Sequence, residues 1–351
     1  MKVLVAMSGG VDSSVAALLL KQEGHQVIGA TMKLWGGVSD SGCCSVSDVA
    51  DARMVAAKLE IEHHVFNFTE QFQDSVVDHY VKSHANGLTP NPCIECNRSI
   101  KFDLFIDRAL RLGFDAVATG HYAQVDNLGG SFRLSRGLDE NKDQSYVISM
   151  LGQDKLSVLM LPVGRFKKEY VRELATSAGL TTAAKPDSQD VCFIASTTSR
   201  MNFLGERTEL HEASVVDQAS GTVLGNIPAI EAVTLGQRRG LGTLGDSQRR
   251  YVVDVDRTKK TVFLGSLDDT MTTSLYFWKP TWIFDPPQEG ECLTFQTSAH
   301  GYRLEGRIFH LEEGRIERTQ KTRRVAPGQT IAFYRDNQVV GSAVICDPPQ
   351  S

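Results

Sequence analysis

Apolar residues in the first half of the chain come in short runs separated by stretches with helical spacing. Lys2 to Met7 predicts a buried strand, and the Ala- and Leu-rich run Ser13 to Lys21 predicts a helix. The alternation continues with a strand over Gln26 to Leu34, a helix over Val46 to Leu59 and a strand around His64 to Phe68. Helices over Phe72 to Ser83 and Ile100 to Leu112 follow, then a strand over Asp115 to Thr119. Such βα order predicts an α/β domain with a mainly parallel sheet covered on both faces. After about Arg200 glycine is frequent, prolines pair at Pro286-Pro287 and Pro348-Pro349, and short alternating stretches appear. Tyr251 to Val255, Thr261 to Leu264 and Thr330 to Tyr334 predict short antiparallel strands. The expected organisation is a nucleotide-binding α/β domain over 1–200, a small middle module over 201–267 and a C-terminal β-barrel-like domain over 268–351.

Composition narrows the class. With 351 residues, 41% hydrophobic and 23% charged, the chain is globular and long enough for several cores. No apolar run approaches the roughly 20 residues needed to cross a bilayer, and the first residues lack a signal-peptide layout, so a cytoplasmic protein without a membrane partner is expected. Seven cysteines at uneven spacing argue against a disulfide framework and for reduced thiols. Any disulfide would be transient. A net charge of -5 excludes a uniformly basic nucleic-acid coat protein, so RNA contact would rest on local patches such as Leu235 to Lys260 or Lys321, Arg323 and Arg324.

Between the first strand and the first helix lies Ser8-Gly9-Gly10-Val11-Asp12-Ser13-Ser14. Glycines let the main chain approach a ligand, and hydroxyls and amides at a helix N-terminus suit an anion such as pyrophosphate. The plainer alternative is a strand-helix turn with Asp12 or Ser13 as helix cap. The string has neither the Gly-Lys-Ser/Thr ending of a Walker A loop nor a Gly-x-Gly-x-x-Gly fingerprint. It resembles the PP-loop of the ATP pyrophosphatase superfamily, which implies AMP transfer with release of pyrophosphate.

The second chemical signal is sulfur. Cys93 and Cys96 stand in a Pro-rich stretch, Thr89-Pro90-Asn91-Pro92-Cys93-Ile94-Glu95-Cys96, expected to be a loop ahead of the Ile100 helix, and Cys192 follows Asp187-Ser188-Gln189-Asp190-Val191. A thiol near a helix N-terminus is favoured as thiolate, the nucleophilic form. Competing readings are half a zinc site, a redox pair, or three thiolates for an iron-sulfur cluster. No metal ligand set is assigned. Cys43-Cys44 reads as turn residues, Cys292 and Cys346 as core residues, and His63-His64 as structural. His121, at the end of a strand of the parallel sheet, stands where ligands bind in such folds.

These strings together resemble the tRNA-specific 2-thiouridylase family (MnmA type) over essentially the whole chain. The carrying motifs are Ala6 to Val15, Gly42 to Asp51, Thr89 to Phe102, Ala118 to Tyr122, Lys142 to Tyr146, Leu161 to Gly164, Asp187 to Ile194 and Thr234 to Gly242. The resemblance implies ATP held by Ala6, Met7, Ser8, Gly9, Gly10, Val11, Asp12, Ser13 and Ser14, with Met32 and Gly120 lining the nucleotide site and Mg2+ as companion ion. It implies tRNA contacts at Asn91, Pro92, Cys93, His121, Lys142, Asp143, Gln144 and Gln329. Cys96 falls on the family's nucleophile and Cys192 on its persulfide-bearing cysteine. Two departures stand out: many relatives have Asp at the position of Cys93, and Thr297 to Arg303 lacks the basic pair of the C-terminal tRNA contact.

The implied reaction adenylates O2 of the wobble uridine, position 34 in the anticodon loop, and replaces it with sulfur from the Cys192 persulfide. The products are 2-thiouridine, AMP and pyrophosphate, and Cys96 and Cys192 end as a disulfide. The sulfur would come from a relay protein or a cysteine desulfurase. The rival readings are a thiolase dependent on an iron-sulfur cluster held by Cys93, Cys96 and Cys192, a PP-loop ligase acting on a small molecule, and a non-catalytic RNA-binding protein.

Overall fold

The computed structural model describes residues 1–35, 45–187, 193–194, 199–241, 249–309 and 313–349. Strands β1 (Lys2–Ala6), β2 (Gln26–Lys33), β3 (His63–Asn67), β4 (Ala116–Ala118), β5 (Ala123–Leu128), β6 (Ser131–Arg136) and β7 (Leu159–Met160) come from the first part of the chain. Five of them form a parallel sheet in the order β3-β2-β1-β4-β7. Helix α1 (Val11–Gln22) links β1 to β2, and α2 (Val46–Lys58) precedes β3. Both faces of β1 are covered. Val3 and Val5 pack with Val15, Ala16 and Leu20, while Leu4 and Ala6 join a second core with Ile28, Ile100 and Phe105. Burial on both sides is why β1 reads as an unbroken apolar run instead of alternating.

Two helices differ from their expected limits. Thr69–Phe72, Gln73–Val77 and Asp78–Ala85 follow one another without a break, as do Pro92–Glu95, Cys96–Leu104 and Phe105–Arg111. In each the middle segment is wound as wide π turns, a form that recurs at functional sites. The stretch around Cys93 and Cys96 is thus the opening of a long helix and not the loop that its prolines suggested. Asn91 caps that helix by accepting from the amides of Cys93 (3.0 Å) and Ile94 (3.4 Å), and Pro92 occupies the first turn, where its missing N–H costs nothing.

The middle module has strands β8 (Ala213–Asp217), β9 (Val223–Ile227), β10 (Tyr251–Asp256) and β11 (Thr261–Gly265) in the order β10-β11-β8-β9, around Val215, Ile227, Val252 and Leu264. The last part adds β12 (Met271–Trp282), β13 (Cys292–Gln296), β14 (Leu304–Phe309), β15 (Glu313–Arg323), β16 (Thr330–Arg335) and β17 (Gln338–Cys346). They run antiparallel in the order β12-β15-β14-β13-β16-β17, and pairing of β12 with β17 closes a six-stranded barrel filled by Phe277, Phe295, Ile316 and Phe333. The hairpin β5-β6 reaches this barrel through the pair Ser135 and Gln338.

A buried polar knot ties the barrel to the α/β domain. Arg136, 5% exposed, donates to Asp143 (2.7 Å) and to Gln296 (2.9 Å) and lies 3.6 Å above the Tyr334 ring. Nearby, the Tyr146 hydroxyl donates to the carbonyls of Thr297 (3.2 Å) and Thr330 (2.9 Å). Thr89, just ahead of the cysteine helix, meets both later modules. Its amide donates to the Pro327 carbonyl (2.7 Å), its carbonyl accepts from the Gln329 side chain (2.6 Å), and its hydroxyl reaches Thr234 (3.4 Å).

Candidate active site

In the strand order, β1 has β2 on one side and β4 on the other, so chain direction across the sheet reverses between β1 and β4. Ligands of open α/β sheets sit in that crevice, beyond the carboxyl ends of the strands. The Ser8 to Ser14 loop leaves β1 there, and Gly120 and His121 follow β4 into the same crevice.

Gly9 has φ of +71°, and a Cβ on it would lie 2.3 Å from the Asp48 carbonyl oxygen, so only glycine fits between the loop and α2. Gly120 meets the loop from the other side: its Cβ would stand 2.6 Å from the Ser13 amide nitrogen. The helix cap is Gly10, not Asp12 or Ser13, and it offers no side chain to the first-turn amides. Those N–H groups and the positive end of the helix dipole are therefore open to an anion. The hydroxyls were expected to face the ligand, but Ser13 and Ser14 are buried and both donate to the Gly10 carbonyl, at 3.2 and 2.8 Å. They shape the loop, and Ser8 is the exposed hydroxyl. Ala6, Met7 and Met32 are core residues, with Met7 holding the Thr31 hydroxyl through its carbonyl (2.7 Å).

Beneath the loop lies a charge cluster that local sequence patterns did not reveal. Asp12 accepts from the Lys168 ammonium through both oxygens (2.7 and 2.8 Å) and from the Tyr122 hydroxyl (2.7 Å). Lys168 also reaches Asp187 (2.9 Å), which is held in addition by Lys142 (2.8 Å) and Arg172 (2.9 Å). Burial alone would raise the Asp187 carboxyl, but hydrogen bonds from Lys142 and Lys168 outweigh it and hold the group at about 2. Burial, and then the Asp12 charge, push the Tyr122 hydroxyl upward, so it remains a proton donor.

The sulfur side of the site is built on the Pro92 helix. Cys93 is exposed in its first turn, whereas Cys96, 5% exposed, lies in the core one turn on. Cys192 lies outside the described residues, as do Cys43 and Cys44. Its neighbour Phe193 is buried against Tyr80 (5.5 Å), Phe72 (5.8 Å) and Phe203 (5.3 Å). Tyr80 and Phe72 belong to the helical run that packs against the Pro92 helix.

Residues 1–196 match the family described as tRNA methyl transferase HUP domain, 201–266 the tRNA methyl transferase PRC-barrel domain and 272–345 the aminomethyltransferase beta-barrel domain. The tRNA-specific 2-thiouridylase MnmA of Chloroflexus aurantiacus is 42% identical over 354 residues, covering 99% of this chain and 98% of that one. Proteins of the same name match from Mycolicibacterium vanbaalenii (43%, 98% and 99% covered) and Herpetosiphon aurantiacus (40%, 98% of each). The chain belongs to the tRNA-specific 2-thiouridylase MnmA family. The methyl transferase wording of two domain descriptions does not disturb this, because the thiouridylases match from end to end.

In this thiouridylase the residues expected to meet tRNA fall into two groups. Asn91, Pro92 and Cys93 cluster at the start of the cysteine helix, with Gln329 alongside through Thr89. Lys142, Asp143 and Gln144 lie in a turn behind Tyr122, whose amide donates to the Gln144 side chain (3.0 Å). The Asp143 carboxylate is spent internally on Arg136, Ser145 and the Gly137 amide, so it organises the turn and does not face outward. His121 packs on Phe102 (5.5 Å) with Nδ1 2.8 Å from the Thr119 hydroxyl. Burial, with Lys101 adding to it, pulls the ring down to about 3, so it is a neutral imidazole at working pH. Of the basic patches, Arg238, Arg239 and Arg249 are exposed, whereas Arg250 is engaged by Asp217 and Arg324 by the Val253 carbonyl.

Proposed function

We propose that this thiouridylase uses ATP to activate C2 of the wobble uridine in a tRNA anticodon loop and installs sulfur there from a persulfide on Cys192. The observation that carries the reading is the uncapped start of α1 behind Gly9 and Gly10, an anion cradle at the switch point of the sheet, with Gly120 closing it. The first-turn amides would hold the polyphosphate while uridine O2 attacks the α-phosphorus and pyrophosphate leaves. Both Asp12 oxygens already accept from Lys168, with Tyr122 as a further donor, so a Mg2+ ion accompanying ATP would be held by phosphate oxygens and water and would neutralise phosphate charge.

In the second step the terminal sulfur of the Cys192 persulfide bonds to C2 and AMP departs with the former O2. The Cys96 thiolate then attacks the inner sulfur of Cys192, the sulfur-sulfur bond breaks toward the nucleobase, and Cys96 and Cys192 are left as a disulfide. A dithiol reductant reopens it. The docking of Phe193 beside the helix that flanks Cys96 supports the pairing of these two cysteines. The persulfide would be charged by a relay protein or a cysteine desulfurase, and an unstacked anticodon loop suits a base that must be reached from the side.

Single-turnover thiolation of tRNA with ATP and a persulfide donor tests the reading. Cys192→Ser and Cys96→Ser should each abolish product while pyrophosphate release continues. Full thiolation by Cys192→Ser would refute the carrier role. Thiolation that strictly requires iron and sulfide reconstituted under anaerobic conditions would replace the persulfide route with a cluster held by Cys93, Cys96 and Cys192.

A further inference from the structure

A carboxylate inside a polyphosphate-binding loop is an electrostatic contradiction. Asp12 is the second residue of α1, its side chain about a third exposed, in the turn whose amides cradle the anion. Left alone, its charge would repel the ligand that the amides attract. We propose that Lys168 is a positioning residue for nucleotide binding, acting through Asp12: its ammonium cancels the Asp12 charge and fixes which way the carboxylate points.

The geometry separates this role from a general structural one. Lys168 is 6% exposed, at the first position of the helix Lys168–Ser177, and its amide is fixed by the Asp139 carboxylate (3.0 Å). Its ammonium meets both Asp12 oxygens, and the Tyr122 hydroxyl adds a third donor to the same carboxylate. Asp187, the other anion in reach, keeps Lys142 and Arg172 without it. Among the described residues Lys168 is the cation that Asp12 holds. The carboxylate that depends on Lys168 is therefore the one in the loop. Lys168 stands 156 residues from Asp12 in the chain, so the pairing had no local signature.

This inference rests on the reading that the loop binds ATP. The experiment measures ATP binding to the full chain, with magnesium present, for the unchanged protein, Lys168→Met, Lys168→Arg, Asp12→Asn and the double variant Asp12→Asn/Lys168→Met. Lys168→Met should weaken ATP at least about tenfold, and Lys168→Arg, which keeps the charge, by less than about threefold. Once Asp12 is neutral the ammonium has nothing to cancel, so the double variant should bind ATP within about threefold of Asp12→Asn alone. Unaltered binding by Lys168→Met overturns the proposal. A loss of tenfold or more between Asp12→Asn and the double variant overturns it too, because Lys168 would then act on the phosphates directly. Melting curves accompany each variant. If Lys168→Met fails to fold, the comparison made on the Asp12→Asn background, where no carboxylate is stranded, decides the matter. Failure of the unchanged protein to bind ATP would instead overturn the functional reading and this inference with it.

Discussion

At the scale of single residues, two glycines show how narrowly the loop is built. Gly120→Ala would drive a methyl group against the Ser13 amide, where a ligand-facing backbone has no room to retreat. The expected outcome is a rise of tenfold or more in the ATP concentration needed for thiolation. Gly9→Ala adds a strained positive φ to a clash with Asp48 and should cost about 1–3 kcal/mol, seen as a lowered melting temperature. A third residue gives a pH signature. Burial, with Arg200 next, holds His84 down at about 4, and its Nδ1 lies 3.2 Å from the Glu231 carbonyl oxygen. Because the folded form refuses the proton that the unfolded chain accepts below its ordinary value near 6.5, stability falls as pH drops from 6.5 toward 4. The slope reaches about 1.4 kcal/mol per pH unit, and urea denaturation of His84→Gln should lose that component.

At the scale of elements, the cysteine helix depends on its first turn. Asn91→Ala removes the acceptor for the Cys93 and Ile94 amides and should cost about 1 kcal/mol, with slower thiolation from a frayed helix start. Denaturation with a parallel single-turnover assay checks both. This helix also shows where sequence reading failed. Asn91-Pro92 reads equally as loop punctuation or as a helix cap and first turn, and nothing local distinguishes the two until the following residues pack. The parallel strands were legible because burial on both faces writes itself as continuous apolar runs. The π-wound segments were not, since their wider turns move apolar spacing away from the 3.6-residue period of an α-helix. In the loop, glycine chemistry was readable from composition, but the inward turn of Ser13 and Ser14 and the role of Lys168 are set by contacts distant in sequence.

At the scale of the whole molecule, the three modules are bound by polar contacts as much as by apolar ones. Arg136 and Asp143 are both almost wholly buried, so removing one partner strands a charge. Asp143→Ala should cost about 3–5 kcal/mol in urea denaturation, whereas replacing both residues with apolar ones of similar volume should cost much less. The barrel-like character of the C-terminal domain was legible from its short alternating strands, but alternation along strands does not reveal that β12 finds β17 to close it.

The hairpin β5-β6, which belongs in sequence to the nucleotide domain and in space to the barrel sheet, limits how this protein can be taken apart or recombined. A fragment ending near residue 200 would carry Arg136 into solvent without Gln296, leave the Tyr146 hydroxyl without its two carbonyl acceptors and lay the β6 end open where Gln338 now pairs. Shuffling of the modules between relatives is consequently constrained at this seam. A foreign barrel must bring acceptors for Arg136 and Tyr146, and one that does not will yield chimaeras that aggregate through an unfinished sheet.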